Sequence, residues 1–341
     1  MSGVEQAPAG ASPEQRIGGH PGSDVLNAFF RRYGLQSGTV MMALILWIIF
    51  AVGSPETWLH RDIYSSLMST VPVTQSGIIA LTLTLVVIAG EIDLSFGSVM
   101  AVGTWVFMSC PQPELALIAG IAAGLGVGLL NGFIVVRFGI PSLVATIGTW
   151  FFWGGIVIVG TGSAGAGTGF AKGFVTSLLA GRIFGYIPAE MPWMLTFAFL
   201  LWLLLNRHRF GAHVYLVGDN DQSARMMGVR SNRVRMGVFG LNGAAAAFAG
   251  ISSTIEANYF WPTVGSGAML PTVAAVFLGG TSIFGGRGTI FGTFVAAFVI
   301  GAIEPGIISL NLTGFYTQVI YGAVIVIALI VQSAVRGRAE R

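Results

Sequence analysis

Glu91 and Asp93 stand two residues apart in Ala89-Gly-Glu-Ile-Asp-Leu-Ser-Phe-Gly97, a polar, helix-breaking stretch between two strongly apolar runs. A carboxylate among apolar residues of membrane length is costly enough to be a functional candidate, able to relay protons, couple ions or hold a polar solute. The same residues have a plainer use. Asp93 or Ser95 can cap the helix that follows by accepting from its orphan amides, while Glu91 rests at the level of lipid headgroups. The two uses are compatible, since both need a helix that starts inside the protein. A second stretch, Leu278-Gly-Gly-Thr-Ser-Ile-Phe-Gly-Gly-Arg-Gly288, breaks a later run and offers Thr281 and Ser282. A proton relay is disfavoured, because Glu256 and Glu304 fall near the outer ends of their runs and His20, His60, His208 and His213 all lie in the tail or in loops. Cys110 is the one cysteine, so an internal disulfide is impossible, and no Cys/His spacing suits zinc or an iron-sulfur cluster.

Asn131 lies in an apolar run where Gly120, Gly124, Gly128 and Gly132 recur every fourth residue. That repeat gives a helix a smooth groove for close packing, and Asn131 beside it can bond a neighbouring helix or a substrate hydroxyl. Aromatic residues cluster at Trp150, Phe151, Phe152 and Trp153, and again at Tyr259, Phe260 and Trp261. They are expected chiefly as an interfacial belt, although such a face is also what a sugar ring stacks on.

The elements that position these groups follow from composition. Of 341 residues, 54% are hydrophobic and only 9% charged, and the mean hydropathy is +0.79, which describes an all-α polytopic membrane protein rather than a soluble core. Forty-nine glycines favour tight helix contacts. Apolar runs near 36–53, 71–90, 95–109, 114–136, 142–161, 191–206, 236–257, 271–284, 289–309 and 313–334 make ten candidate spans. The run at 191–206 is short, and it is read as a tilted span beginning near Tyr186. The runs from 95 and 271 are also too short to cross a core of about 30 Å at 1.5 Å per residue, so their polar flanks are expected to sit inside the membrane as broken or re-entrant segments. Irregular backbone at that depth is tolerated where it lines a cavity or is covered by protein, and paired interruptions point to a transport path.

The net charge of +3 follows topology rather than a nucleic-acid surface. With both termini cytoplasmic, the arginines at 16, 31, 32, 137, 207, 209, 225, 230, 233, 235, 287, 336, 338 and 341 face inward, leaving Arg61, Lys172 and Arg182 outside. Residues 1–34 read as a disordered cytoplasmic tail without the pattern of a cleaved signal peptide, 35–335 as the transmembrane domain, and 336–341 as a second short tail. Between Arg207 and Arg235 the loop has soluble-protein grammar. Asp219, Asn220 or Asp221 can cap a two-turn helix, Ala224 and Met227 give it a small apolar side, and Gly228 ends it. Such a helix could dock on a partner, and the flanking arginines could equally rest on anionic headgroups.

The pattern from about residue 40 to 332 resembles the permease subunits of bacterial ABC importers for ribose and related sugars, a group that shares a superfamily with branched-chain amino-acid permeases. The resemblance rests on Gly90-Glu-Ile-Asp-Leu-Ser-Phe-Gly-Ser98, on Asn131-Gly132 with Ile140-Pro-Ser-Leu-Val-Ala-Thr-Ile-Gly148, on Val217-Gly-Asp-Asn-Asp-Gln-Ser-Ala-Arg-Met-Met-Gly-Val229, and on Val276-Phe-Leu-Gly-Gly-Thr-Ser-Ile-Phe-Gly-Gly-Arg-Gly288. It implies a bacterial inner-membrane permease paired with itself or a paralogue, a separate pair of cytoplasmic ATP-binding subunits and a periplasmic sugar-binding protein. It also implies that Gly218, Asp219, Asn220, Ala224, Arg225, Met227 and Gly228 form the helix that couples to the ATPase, and that Glu91, Asp93, Ser95, Asn131, Thr146, Trp150, Thr281 and Ser282 border the path. Departures at Thr161 to Thr168 and in the dense aromatics near 150 bear on the substrate. The chain has no Gly-x-x-x-x-Gly-Lys-Ser/Thr phosphate cradle, so no catalysis and no cofactor are expected of it, and ATP is a matter for the partner. The expected function is alternating-access import of a monosaccharide or related polyol, with the binding protein docking near 54–69 and 162–190. The alternatives are a branched-chain amino-acid importer, an autonomous ion-coupled carrier using the acidic residues, and a structural scaffold.

Overall fold

The computed structural model describes residues 38–69, 74–169 and 173–339. The expected N-terminal tail, its arginines, Lys172 and the last two residues lie outside the described residues. Helices α1 (Gly38–Gly53), α2 (Pro55–Trp58), α3 (Arg61–Ser69), α4 (Ser76–Ile88), α5 (Phe96–Met108), α6 (Pro113–Phe138) and α7 (Ser142–Gly160) are followed by strand β1 (Ala166–Gly167), helix α8 (Phe174–Ala180) and strands β2 (Arg182–Ile183) and β3 (Ile187–Pro188). Then come α9 (Glu190–Arg207), α10 (Arg209–Asp219), α11 (Asp221–Met226), α12 (Ser231–Ala257), strand β4 (Tyr259–Phe260), α13 (Met269–Leu278), α14 (Ile290–Ser309) and α15 (Tyr316–Ala339).

Each of the ten apolar runs contains a helix among its described residues, and the fold is all-α and polytopic. Among the described residues four helices, α6, α7, α12 and α14, are long and apolar enough to cross a membrane, while α1, α4, α5, the segment Ser266–Leu278 and Tyr316–Ala328 are shorter apolar helices. Three boundaries differ from expectation. The run from 271 is helical only to Leu278, because Gly279 and Gly280 close it and residues to Thr289 are irregular. Helix α9 begins at Glu190 rather than near Tyr186, since the preceding residues form the β2–β3 hairpin turning at Gly185. Helix α15 runs on to Ala339, beyond the apolar run that ends near 334.

Helix α4 is the axis, with every residue from Ser76 to Ile88 buried. Around it stand α9, α12, α13 and α14. The glycine stripe of α6 does what its spacing implies, for a Cβ at Gly124 would meet the Gly243 carbonyl of α12 at 2.5 Å and one at Gly132 would meet the Met236 Cα at 2.9 Å. Gly126, on the same helix, faces open space. Gly124→Leu is therefore expected to destabilise the protein by about 3 kcal/mol, as overpacking does, and Gly126→Leu to be nearly neutral, read as the yield of monodisperse protein in detergent. Equal yields would deny the close α6–α12 contact. On the outside, β1 pairs antiparallel with β4 and ties residues 161–168 to the segment after α12.

Candidate functional site

Two breaks, one polar knot and one cavity organise the centre of the molecule. The breaks begin identically. Gly90 at φ +81° follows α4, with Gly90 N–H donating to Val87 O at 3.0 Å and Glu91 N–H to Val86 O at 3.1 Å; Gly280 at φ +83° follows α13, with Gly280 N–H donating to Phe277 O at 3.1 Å and Thr281 N–H to Val276 O at 3.3 Å. Both are helix ends of the 6→1 and 5→2 type, which need a left-handed residue and so favour glycine.

After the first break the chain runs extended to α5, held by hydrogen bonds from both sides. Ile92 N–H donates to Ser142 Oγ at 3.0 Å and Leu94 N–H to Thr146 Oγ1 at 3.2 Å, both from the first turns of α7. Asp93 is 1% exposed; its Oδ1 accepts from Ser95 N–H at 2.9 Å and Ser95 Oγ at 2.6 Å, and its Oδ2 accepts from Asn242 Nδ2 at 2.9 Å. Asn242 Oδ1 in turn accepts from Thr82 Oγ1, and Asn131 Nδ2 donates to Ser95 Oγ. The result is a buried knot joining α4, α5, α6 and α12. Ser95, at the N-cap of α5, makes no side-chain cap bond, whereas Asp93 satisfies the Ser95 amide at the start of the helix and spends its other oxygen on Asn242. Asn131 does bond a neighbouring element.

Glu91 turns the other way, toward the arginine-rich end, and is 7% exposed. Its Oε1 lies 3.0 Å from Arg235 Nε, and Arg235 Nη2 lies 3.5 Å from Asp221 Oδ2, which also pairs with Arg225 Nε at 3.1 Å. Partial burial works against the Asp221 charge but is outweighed by Ser231, Arg235 and Arg225, so its carboxyl is held below the usual carboxylate value. Sequence spacing could not find this cation, because Arg235 is far from Glu91 along the chain.

The stretch from Arg207 to Arg235 holds two helices where one was expected, and residues 231–235 already belong to α12. The helix missed, α10, buries Gly211, Val214 and Val217 on one face, a helical spacing that His208, Arg209 and His213 obscure. Asn220 caps α11, accepting from Ser223 N–H at 2.9 Å, and Gly228 at φ +82° ends it. Ala224 is fully buried, whereas Met227 is 62% and Met226 77% exposed, so the methionines form an outward apolar face rather than an inner one.

The C-terminal end of α10 meets both breaks. Gly286 N–H donates to Ile88 O at 2.8 Å, and Gly218 lies so close that a Cβ there would overlap the Ile88 carbonyl and stand 2.7 Å from Gly286 N. Tyr215 Oη donates to Gly288 O at 2.8 Å, and Asp219 packs on Gly286. Ser282 Oγ accepts from Phe284 N–H at 3.2 Å, while Thr281, fully buried, packs on Gly288; both belong to this joint.

The cavity, of about 300 Å³, lies between α5, α7 and the segment after β4. Trp150, Phe151, Ser98, Thr263 and Ser266 line it together with Gly97, and among the described residues no ionisable side chain does. Its floor is the Gly97–Gly265 contact, where a Cβ at Gly265 would meet the Gly97 carbonyl oxygen at 2.5 Å. Trp150 and Phe151 sit halfway along α7, their ring centroids 5.1 Å apart, and both line the cavity. Of the eight residues expected beside the path, Trp150 reaches the cavity. Glu91, Asp93, Ser95, Asn131 and Thr146 hold the first break, and Thr281 and Ser282 the second.

The chain is 29% identical to the ribose import permease protein RbsC of Escherichia coli (strain K12), over 89% of this chain and 96% of that protein. It is 32% identical to the ribose import permease protein RbsC of Bacillus subtilis (strain 168), over 86% and 91%, and 31% identical to the autoinducer 2 import system permease protein LsrD of Salmonella typhi, over 89% and 93%. No solved structure matches it. Residues 65–329, covering all three features described above, match the model of one family, and the chain accordingly belongs to the permease components of the branched-chain amino acid transport system family, as a multi-pass membrane permease of the ABC importer type.

Proposed function

We propose that this chain is the membrane subunit of an ATP-driven importer that moves a monosaccharide or related uncharged polyol across the bacterial inner membrane by alternating access. The observation that supports the substrate class is the cavity, lined by two aromatic rings tilted against each other and by three hydroxyl residues, with no ionisable group among the described lining residues. A polyol can stack and exchange weak hydrogen bonds there, whereas a zwitterionic amino acid needs fixed opposite charges or exposed helix ends. Two of the named relatives are ribose import permease proteins, which supports a sugar as the solute.

Energy is supplied by a separate cytoplasmic ATPase pair, and selection by a periplasmic sugar-binding protein. The supporting feature for the first is α11: capped at its N-terminus by Asn220 and ended by Gly228, anchored by buried Ala224, and presenting Met226 and Met227 outward, it has the form of a rigid docking helix. Gly218, Asp219, Asn220, Ala224, Arg225, Met227 and Gly228 are assigned to this coupling unit. The exposed apolar faces of α6 and α7, with Phe133, Leu143 and Phe152, are assigned to lipid and a second permease subunit. No catalytic role and no bound cofactor are assigned to the chain itself.

The test is copurification from native membranes in mild detergent. The intact protein is expected to bring an ATPase with it, and Gly228→Trp, which forces a bulky side chain into a left-handed backbone, to lose at least tenfold of that activity while staying monodisperse. Uptake of labelled D-ribose into vesicles carrying the complex should fall at least tenfold in Trp150→Ala. Uptake without any ATPase would replace this reading with an autonomous carrier.

A further inference from the structure

We infer that Arg235 is a positioning residue that ties the docking helix α11 to the first break, so that a displacement of α11 is delivered to the segment leading into the cavity. The inference rests on the coupling role proposed above and names the route. Arg235 stands one turn into α12, and its guanidinium is shared between two carboxylates on different elements: Nε at 3.0 Å from Glu91, at the end of α4, and Nη2 at 3.5 Å from Asp221, the first residue of α11. Arg225 extends the chain, pairing with Asp221 at 3.1 Å and donating to Asn232 Oδ1 at 2.9 Å. The guanidinium lies between the two carboxylates as a shared charge; its Nε makes no hydrogen bond among the described residues, so the tie is an ion pairing rather than a hydrogen-bonded fork.

What Glu91 is attached to gives the bridge its reach. Glu91 N–H closes the end of α4, and the next residues are the extended Ile92–Leu94 segment held by Ser142 and Thr146 of α7, which enters α5. Gly97 of α5 and Trp150 of α7 line the cavity. A pull on Glu91 therefore acts on the two helices that make two of its walls. The backbone joint at Gly218 and Gly286 is a second contact between the same parts, but it is fixed by sterics and a main-chain hydrogen bond. The charge bridge is the tie that side-chain chemistry can cut without disturbing the packing.

The test uses the complex with its copurified ATPase and needs no knowledge of the transported solute. Thr263, exposed at the cavity, is replaced by cysteine in a Cys110→Ser background, and its maleimide labelling rate is measured with and without ATP plus vanadate. The parent is expected to change rate at least fivefold between the two conditions. Arg235→Gln should copurify the ATPase and hydrolyse ATP within twofold of the parent, yet its labelling ratio should fall to about one. Glu91→Gln, which is isosteric, should lose the labelling response in the same way, so a folding defect peculiar to the arginine variant is not mistaken for the effect. A labelling ratio as large as the parent's in both variants would overturn the route through Arg235 while leaving the docking role of α11 intact. Absence of ATPase from the parent preparation would instead overturn the docking role, and this inference with it.

Discussion

Gly218→Ala is expected to destabilise the protein by about 3 kcal/mol, whereas Gly148→Ala should be neutral or slightly stabilising. The new methyl at 218 would occupy the space of the Ile88 carbonyl and crowd Gly286 N, so three backbones, those of α10, α4 and the second break, would have to separate. Overpacking of this kind costs roughly 1–3 kcal/mol. The separation also breaks the Gly286 N–H to Ile88 O hydrogen bond, whose buried donor then lacks a partner at a cost of a further 1–3 kcal/mol or so. Gly148 is a helical glycine with nothing within 4 Å of its added Cβ, where alanine gains about 0.5–1 kcal/mol of helix propensity. Heating both variants in detergent and recording the temperature at which half of each ceases to be monodisperse separates the cases. Coincident midpoints would mean that the two breaks and α10 do not meet at backbone contact.

That joint shows where the sequence was legible and where it was not. All ten apolar runs could be read, because membrane length and hydropathy act residue by residue along the chain, and so could the glycine stripe of α6, whose period alone implies a groove. Both breaks were visible as polar, glycine-containing interruptions. The common left-handed turn at Gly90 and Gly280 was not read, although each follows an apolar run and the pairing of Gly with a polar residue was there to find. Helix α10 was missed for a different reason: its buried face of Gly211, Val214 and Val217 is interleaved with His and Arg, so its mean polarity resembled a loop. The Arg235 bridge was beyond reach, since a contact between residues on α12 and α4 is set by tertiary packing rather than by spacing. Trp150 could be named as a candidate, but Ser98, Thr263 and Ser266 are small hydroxyls with no pattern of their own, and they become a lining only when the segment after β4 folds back onto Gly97.

The second large effect is expected at Asp93, and it separates a structural carboxylate from an ion-coupling one. Asp93→Ala removes the acceptor of three hydrogen bonds in a site 1% exposed, leaving Asn242 Nδ2 and the Ser95 amide and hydroxyl without their shared acceptor. Each of the three buried donors left unpaired costs about 1–3 kcal/mol, so a loss of about 4 kcal/mol is expected and little folded protein should reach the membrane. Asp93→Asn keeps the shape and an acceptor oxygen toward Ser95. Its amide can be accommodated if Asn242 turns its own oxygen inward, at the expense of the Thr82 hydrogen bond, for about 1–2 kcal/mol. Asp93→Asn is therefore expected to fold and to keep ATP-dependent uptake within about threefold of the parent. A carrier that moved protons or ions through this carboxylate would behave in the opposite sense, with Asp93→Asn folding normally but losing transport outright. Measuring both membrane yield and uptake in the two variants decides between them, because the knot ties loss of function to loss of fold and an ion-coupling site does not.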